Sequence, residues 1–462
     1  MKRGYMRSIK IERVSYIITL DSSRRIIRDG SIYIEDGRIV EVDKAHRLKH
    51  VSADIILDGL GKVVTPGFIN THMHVSYAHP VRGIFPDDLP RTAYLTYVFS
   101  LQSVMKPEEE YYSTLLAIAE LLKSGCTCFA DPGTINDLDS GVKAILESGI
   151  RALVGKDVVD KPNPLNLPVR DTKEAVKLLD ETLQKYSDVS SNRVKPWVTV
   201  FSPNYASDEL LIKAKELADR YQTVFTLHTS FSEDGVSAFV SEKGSRPIEH
   251  LSHIGVLGEN VILSHCLVVS EREIELLAKS GAKVAYCPSA AVRGSGATKY
   301  GKFPEMLSRG IAVSLGSDAA NSSYYLDMVR LMYLGMVLCK DAKLNKAVIP
   351  PETALEMGTV YGAKGLGLDK EVGTVEVGKK ADLVVFDTKR AEWRSLFYPV
   401  HNLVYSADGR SVDTVIVDGK ILVQGGRCLH LDERSLCEKV QEIGEDILKR
   451  AGVSFKYNWL VE

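Results

Sequence analysis

Two histidines, His72 and His74, stand one residue apart in the segment Pro66-Gly67-Phe68-Ile69-Asn70-Thr71-His72-Met73-His74. Side chains at positions i and i+2 of a strand point to the same side, so both imidazoles can reach one metal ion. Neutral imidazole is a common nitrogen ligand of a catalytic Zn²⁺ or Fe²⁺. The Pro-Gly pair before them is a turn signal that brings the segment to a defined place. The spacing therefore predicts a metal site.

Three further polar residues stand at the ends of apolar runs that read as strands. His228 ends the run 224–228, His265 ends the run 261–265, and Asp318 follows the run 312–315. In a parallel barrel, functional side chains gather at the carboxyl ends of the strands. We therefore expect these residues to meet the two paired histidines, with His72, His74, His228 and Asp318 as the metal ligands.

The middle of the chain alternates such strands with helical patterns. Predicted strands cover 127–130, 152–154, 197–201, 224–228, 261–265, 283–287 and 312–315, and examples of predicted helices are 108–124, 208–220 and 270–280. Repeated βα units with apolar strands predict a parallel sheet closed as a (β/α)8 TIM-type barrel, spanning residues 65–375.

Both chain ends are rich in short strands instead. The runs 9–19, 30–34 and 38–42 stand near the beginning, with the hairpin signal Asp36-Gly37, and the runs 381–387 and 412–422 stand near the end. The economical interpretation is an α/β protein whose two ends, 1–64 and 376–430, build one small β-sandwich. Residues 431–462 are predicted to add a helical segment that packs outside.

Charge and cysteine usage limit the partners of the chain. Its 58 basic and 60 acidic residues give a formal net charge of -2, which offers no electrostatic attraction for nucleic acid or an anionic membrane. No apolar run approaches the about 20 residues of a membrane span, and no apolar stretch of a signal peptide follows the basic start of the chain. Seven unpatterned cysteines indicate reduced thiols and a cytoplasmic location.

The motifs together resemble the amidohydrolase superfamily, in the branch of cytosine deaminase, nucleoside-type deaminases and triazine hydrolases. The resemblance rests on the His72-Met73-His74 segment and on three further blocks, Leu263-Ser264-His265-Cys266, Tyr286-Cys287-Pro288-Ser289 and Leu315-Gly316-Ser317-Asp318. It implies one divalent metal ion, Zn²⁺ or Fe²⁺. It also implies that Asp318 transfers protons, that His265 contacts the reacting centre, and that a homodimer is common. No lysine stands in the segment 201–204 to bridge a second metal ion.

Three positions depart from the pattern of these relatives. Phe231 stands where the deaminases of the branch have a glutamate that protonates the substrate ring. Ala93 stands where nucleoside-processing relatives have an acidic residue that binds ribose, and Asn204 stands where a histidine is common. These departures argue against an adenosine-like or S-adenosylhomocysteine-like substrate. The residues that we expect to contact the substrate are Phe231, Tyr94, His79 and Glu233.

The predicted function is that of a metal-dependent hydrolase acting on a C–N bond, other than a peptide bond, of a small nitrogen heterocycle or amidine. An activated water attacks the ring carbon and an amine or ammonia leaves. The loss of the glutamate favours an alternative, the displacement of chloride or an alkylamine from a triazine-like ring. A metal-free scaffold protein is the alternative of another class, and it requires broken metal ligands, whereas all of them are intact here.

Overall fold

The computed structural model describes residues 7–187, 189, 192–294 and 296–459, and shows an α/β protein. Its strands in chain order are β1 Ile9–Ile18, β2 Ile26–Glu35, β3 Arg38–Lys44, β4 Ile55–Asp58, β5 Lys62–Pro66, β6 Phe68–Asn70, β7 Cys126–Ala130, β8 Arg151–Val154, β9 Val194–Pro196, β10 Val198–Val200, β11 Phe225–Thr229, β12 Val261–His265, β13 Lys283–Tyr286, β14 Val313–Leu315, β15 Leu383–Asp387, β16 Val412–Val417, β17 Lys420–Gln424 and β18 Arg427–Cys428.

The α-helices in chain order are α1 Arg91–Ser103, α2 Pro107–Lys123, α3 Leu138–Ser148, α4 Thr172–Ser187, α5 Asp208–Arg220, α6 Glu233–Lys243, α7 Pro247–His253, α8 Glu271–Ser280, α9 Pro288–Arg293, α10 Ala297–Tyr300, α11 Phe303–Ser308, α12 Ala320–Ser323, α13 Met328–Ala342, α14 Pro351–Met357, α15 Val360–Gly365, α16 Pro399–His401 and α17 Glu433–Ala451. Short 3-10 turns span Pro203–Tyr205, Ala391–Trp393 and Gly409–Ser411, and a π-helical turn spans Asn402–Ser406.

The two chain ends share one nine-stranded sheet. Its order is β18-β17-β16-β15-β5-β1-β2-β3, with β4 paired to β1. The contact between the ends is the antiparallel pair of β15 and β5, in which Val384 faces Thr65. The predicted hairpin turn is confirmed, since Asp36 and Gly37 have φ of 48° and 76°, both in the left-handed region that such tight turns require.

Two parallel sheets form the middle of the chain, with the orders β6-β7-β8-β9 and β10-β11-β12-β13-β14. The predicted strand 197–201 is interrupted, because the Trp197 amide bonds to Val154 on the first sheet while Val198 bonds to Val224 on the second. At the opposite edges, the Thr71 amide donates to the Leu315 carbonyl at 3.0 Å. The helices predicted at 108–124, 208–220 and 270–280 are confirmed as α2, α5 and α8.

Serine caps explain where two of these helices begin. The Ser207 hydroxyl accepts from the Leu210 amide ahead of α5, and Ser270 and Glu273 form a capping box ahead of α8. The predicted C-terminal helix is confirmed as α17, and Arg450 near its end pairs with Glu109 of α2 at 2.6 Å. The first six and last three residues of the predicted terminal segments lie outside the described residues.

All seven cysteines are free thiols. Cys126 and Cys128 are buried on β7, where they pack as small apolar side chains. In the part of the chain that the structure describes, none of the helices combines the length and the apolar character of a membrane-spanning segment.

A buried ion pair joins the parallel strands to the terminal sheet. Arg151 on β8 donates from Nε and Nη2 to the two carboxylate oxygens of Asp382, at 2.8 and 3.0 Å. Both side chains are almost fully buried, at 2% and 1% exposure. The Asp418 amide donates to the same carboxylate at 2.8 Å. The pair therefore satisfies two charges that neither sheet could bury alone.

We predict that Asp382→Asn lowers the free energy of unfolding by about 3–5 kcal/mol, because it leaves the Arg151 charge buried without a counter-charge. Chemical denaturation followed by circular dichroism measures the change. The matched control is Glu438→Gln, which removes the same charge from an exposed pair with Arg434, whose side chain is 90% exposed. Equal stability of both variants would contradict the prediction.

Candidate metal centre and active site

The first two predicted ligands lie after a strand and not on it. The sheet pairing of β6 ends at Asn70, and the expectation that His72 and His74 belong to the strand is therefore wrong in detail. The backbone leaves the sheet because it bonds to the segment after β14. Asn70 Nδ2 donates to the Ser317 hydroxyl at 2.7 Å, and the Asp318 amide donates to the His72 carbonyl at 3.0 Å. These bonds bring both histidines beside Asp318.

The imidazoles converge in one small region. His74 Nε2 lies 3.3 Å from His228 Nε2 and 3.4 Å from Asp318 Oδ1. The His72 ring lies 4.9 Å from that of His74 and 4.8 Å from that of His228, centroid to centroid. Donor atoms of His72, His74 and Asp318 lie within 4.8 Å of one another, and so do those of His72, His228 and His265. The structure brings together the four predicted ligands and His265.

The other ring nitrogen of each histidine is held by a neighbouring oxygen. His228 Nδ1 lies 2.7 Å from the Phe201 carbonyl, which can only accept, so Nδ1 carries the proton and Nε2 keeps its lone pair. His72 Nδ1 contacts the Ser264 hydroxyl at 2.9 Å, and its buried Nε2 has no hydrogen-bond partner. His74 Nδ1 contacts the Thr134 hydroxyl at 3.1 Å. Three imidazoles and a carboxylate are a donor set that suits a divalent metal ion.

Burial keeps these histidines neutral. Removal from water lowers the pKa of His72, His74 and His265 well below the usual value, and the neighbouring imidazoles lower the pKa of all three further. Burial also lowers the pKa of His228. Neutral imidazole is the form that binds a metal. The buried Cys287 thiol lies within 4.8 Å of His265 and Asp318, but burial raises its pKa well above the usual value, so it remains a protonated thiol.

Two residues of the site have an unusual backbone conformation. His265 and Asp318 have φ of 76° and 61°, in the left-handed region that non-glycine residues rarely adopt. Such a conformation costs about 1–3 kcal/mol and is concentrated at functional sites. It turns the side chains of both residues toward each other, with His265 Nε2 lying 4.0 Å from Asp318 Oδ2. His265 Nδ1 is buried without a hydrogen-bond partner in the described part of the chain.

The four predicted substrate contacts have different positions. The Phe231 ring lies edge-on to His265 with centroids 4.7 Å apart, and Tyr94 donates its hydroxyl hydrogen to Asn321 Oδ1 at 2.8 Å. His79 is buried, and its Nε2 lies 4.0 Å from a carboxylate oxygen of Glu120. It belongs to none of the metal-binding groups found among the described residues. Glu233 begins α6, its side chain is 57% exposed, and it lies 4.0 Å from the ammonium nitrogen of Lys299, which is also exposed. The structure does not bring Glu233 to the imidazoles.

Sequence reasoning missed the residues that support the ligands. Thr134 lies between His74 and Asp131, whose carboxylate also accepts hydrogen bonds from the amides of Gly133 and Thr134. Asp131 directly follows β7, so a polar residue at a strand end was the available signal. Ser264 stands next to His265 in the motif Leu263-Ser264-His265-Cys266, in which the sequence alone indicated a role for the histidine and none for the serine. Arg91, which lies against Phe231, had no sequence signal.

The family comparison covers most of the chain. The model of the amidohydrolase family matches residues 63–422. A 5'-deoxyadenosine deaminase of Methanosarcina mazei is 33% identical over 437 residues, which are 94% of this chain and 98% of that protein. A 5-methylthioadenosine/S-adenosylhomocysteine deaminase of Syntrophobacter fumaroxidans is 31% identical over 433 residues, covering 93% and 96%.

Solved structures show the same fold. An adenosine deaminase from Xanthomonas campestris with bound zinc has a TM-score of 0.89 at 24% identity, covering 96% of this chain and 98% of that one. A zinc complex of atrazine chlorohydrolase from Arthrobacter aurescens has a TM-score of 0.87 at 22% identity, covering 94% and 100%. Both similarities extend over both kinds of sheet.

We predict that His228→Ala abolishes stoichiometric metal binding, because it removes one of three converging Nε2 donors. Metal content is measured by atomic emission after incubation with zinc and gel filtration. His250→Ala is the matched control, since His250 bonds to Asp208 at 2.9 Å, away from the site. Retention of one zinc ion per chain by His228→Ala would exclude His228 as a ligand.

We further predict that Ser264→Ala weakens zinc affinity about 10- to 100-fold, because His72 Nδ1 loses the oxygen that orients its ring. Competition with a chromophoric chelator measures the affinity. Ser289→Ala is the control, because the buried Ser289 hydroxyl has no hydrogen-bond partner in the described chain. An unchanged affinity in Ser264→Ala would show that this hydroxyl does not orient His72.

Proposed function

The chain belongs to the amidohydrolase family, and on that premise we propose that it is a zinc-dependent deaminase of an amino-substituted nitrogen heterocycle. The observation that carries the proposal is the clustering of His72, His74 and His228 around one place, with Asp318 Oδ1 3.4 Å from His74 Nε2 and His74 Nε2 3.3 Å from His228 Nε2. This donor set suits hydrolysis by a metal-activated water. The relatives that share most of the chain are named as deaminases of adenosine derivatives.

We infer that the two parallel sheets form one closed eight-stranded barrel, with β9 and β10 sharing one strand position. The hydrogen bonds on both sides of Trp197 and the bond from Thr71 to Leu315 support closure at the two edges. We assign residues 65–375 to this barrel, 1–64 with 376–430 to a composite β-sandwich, and 431–462 to a helical extension. The sandwich is supported by a separate apolar cluster between strands of both chain ends, which includes Ile11, Ile32 and Leu383.

His72, His74, His228 and Asp318 would hold the metal ion in this proposal. The zinc in the two solved neighbours supports Zn²⁺, and Fe²⁺ remains the second choice for the same ligands. A divalent ion at this place supplies a water of lowered pKa, so that hydroxide is available at neutral pH. The unpartnered Nε2 of His72 supports the fit, because a buried nitrogen without a partner is costly.

Asp318 and His265 are the residues that move and orient protons in the proposed reaction. The Asp318 carboxylate accepts a proton from the attacking water and transfers it to the departing amine. Its Oδ1 is held by the Ala319 amide at 2.6 Å, which leaves Oδ2 toward His265. The Nδ1 of His265 is buried without a hydrogen-bond partner among the described residues, and in this proposal the substrate would supply that partner. Phe231 cannot donate a proton, so ring protonation must come from His265, Asp318 or the substrate itself.

Because the relatives are named for adenosine derivatives, we propose these compounds as the first substrates to test. Phe231 and Ala93 nevertheless argue against an adenosine-like substrate, since each stands where the resemblance leads one to expect a carboxylate. Phe231 lies against His265, and Ala93 is the third residue of α1. A nucleoside would therefore be bound without the two carboxylates that the resemblance leads one to expect. Pyrimidines and aminotriazines remain in the panel for that reason.

Displacement of chloride or an alkylamine from a triazine-like ring is the second candidate function. The phenyl ring of Phe231 beside His265 favours it, because these leaving groups need less protonation of the ring. The structural similarity to atrazine chlorohydrolase is compatible with this reaction but, at 22% identity, shows the fold alone.

The decisive assay is ammonia release by zinc-loaded protein from adenine nucleosides, pyrimidines, pterins and aminotriazines, in parallel with chloride and alkylamine release from substituted triazines. Ammonia release that is lost with a chelator and restored with zinc is expected. Chloride or alkylamine release alone would replace the deaminase proposal with the second candidate. Inactivity of the zinc-loaded protein against every compound would contradict both.

We predict that Asp318→Asn lowers kcat by about 10²- to 10⁴-fold, because an amide cannot accept the proton of the attacking water. Steady-state kinetics measure the change, with the substrate that the ammonia-release assay identifies. Asp87→Asn is the control, since its side chain is 95% exposed at the loop surface. A near-normal kcat of Asp318→Asn, with normal metal content, would exclude the proton-transfer role.

A further inference from the structure

Arg91 places a positive charge beside the candidate active site. It is the first residue of α1, and its guanidinium carbon lies 3.1 Å from the centroid of the Phe231 ring. That ring in turn lies 4.7 Å from the His265 ring. Phe231 is therefore sandwiched between a cation and an imidazole of the metal centre.

The guanidinium has no counter-ion. In the described part of the chain, Arg91 makes no hydrogen bond or ion pair, whereas Arg82 in the preceding loop bonds to Glu120 at 2.8 Å. The groups whose charges or dipoles reach it are Asp318 and the tyrosines Tyr77, Tyr94 and Tyr205. Asp318 is already committed to the metal ligands. An unpaired arginine in a cleft is uncommon, because its five donors bind carboxylate or phosphate oxygens strongly.

A dissolved molecule can reach this charge. Arg91 is an exposed residue, and desolvation by the protein around its guanidinium lowers the pKa to about 10, so the charge persists at neutral pH. With a divalent ion bound, Asp318 would be the one anionic ligand opposing three positive charges.

The residue at position 231 decides whether this charge is free. A glutamate there, as the resemblance leads one to expect, would lie against the guanidinium and neutralise it as an ion pair. Phenylalanine instead offers a flat aromatic face that supports the guanidinium without binding its N–H donors. The exchange removes one negative charge and leaves one positive charge available.

We propose that the substrate carries an anionic oxygen group on or beside its reacting ring, and that Arg91 binds this group over the face of Phe231. The inference rests on the proposed deaminase function and specifies its substrate class as acidic heterocycles. A carboxylate or an ionised ring oxygen provides the chemistry that a guanidinium recognises with two parallel hydrogen bonds. Arg91 thereby determines specificity and orients the ring, while the proton transfers remain with Asp318 and His265.

The test compares matched acidic and neutral substrates. Zinc-loaded protein is assayed with 5-carboxycytosine against 5-carbamoylcytosine, and with adenosine-5'-carboxylic acid against its 5'-carboxamide. The first pair places the charge on the reacting ring, and the second places it at the far end of the sugar. The quantity measured is the ratio of kcat/KM for the acid to kcat/KM for the amide within each pair.

For the pair with the carboxylate on the ring, we expect the ratio of kcat/KM for the acid to that for the amide to exceed one in the wild type. In Arg91→Gln this ratio should fall about 10- to 100-fold, which corresponds to the loss of a charge-assisted hydrogen bond. Arg91→Lys should keep a ratio above one, because it keeps the charge. Lys299→Gln removes an exposed charge on the same side of the protein, near Glu233, and should leave the ratio unchanged. A ratio unaffected by Arg91→Gln, or one that falls only for the sugar carboxylate, would overturn the proposal.

A binding measurement separates this inference from the deaminase proposal. Affinities of benzoate and benzamide for wild type and Arg91→Gln are measured by nuclear magnetic resonance on zinc-loaded protein, with no turnover required. Preferential loss of benzoate affinity in Arg91→Gln supports the anion site even if every deamination assay is silent. Equal benzoate affinity in both proteins would refute it even if ammonia is released, and circular dichroism verifies that each variant is folded.

Discussion

The structure depends on four imidazoles packed together away from water. His72, His74, His228 and His265 can lie so close because burial keeps all of them neutral. A protonated member would repel the others in a medium of low polarity. Oxygen atoms of Phe201, Ser264 and Thr134 hold three of the rings from behind, which directs their Nε2 atoms to one point. Contacts within the protein therefore hold these rings next to one another.

This arrangement constrains the backbone around it. The chain bends sharply where β12 and β14 end. His265 and Asp318 adopt left-handed φ values to do so. Gly316 lets the segment before Asp318 pass close to the metal-binding loop, since a Cβ there would lie 2.8 Å from His72 Cβ and 3.0 Å from the Cys287 sulfur. Close packing and local strain together position the carboxylate.

The charges around His265 differ from the pattern that the family resemblance implies. The neutral histidines and the single Asp318 carboxylate are what a hydrolytic metal centre requires. Phe231 and Arg91 are a second pair, in which an apolar ring replaces an expected acid and a cation lies against it. Relatives of about one-third identity are named for adenosine derivatives, yet the charge balance next to His265 differs from the expected pattern.

The sequence by itself determined the α/β class, most strands and helices, the four metal-binding candidates and His265, because periodicity and strand-end positions are local properties of the chain. It also identified Phe231 as a departure. Tertiary structure alone decided that His72 and His74 leave the strand, that Glu233 points to solvent, and that Arg91 lies on Phe231. Those outcomes depend on contacts between segments far apart in the chain, such as Arg91 with Phe231, and no local pattern encodes which distant side chain fills a given space.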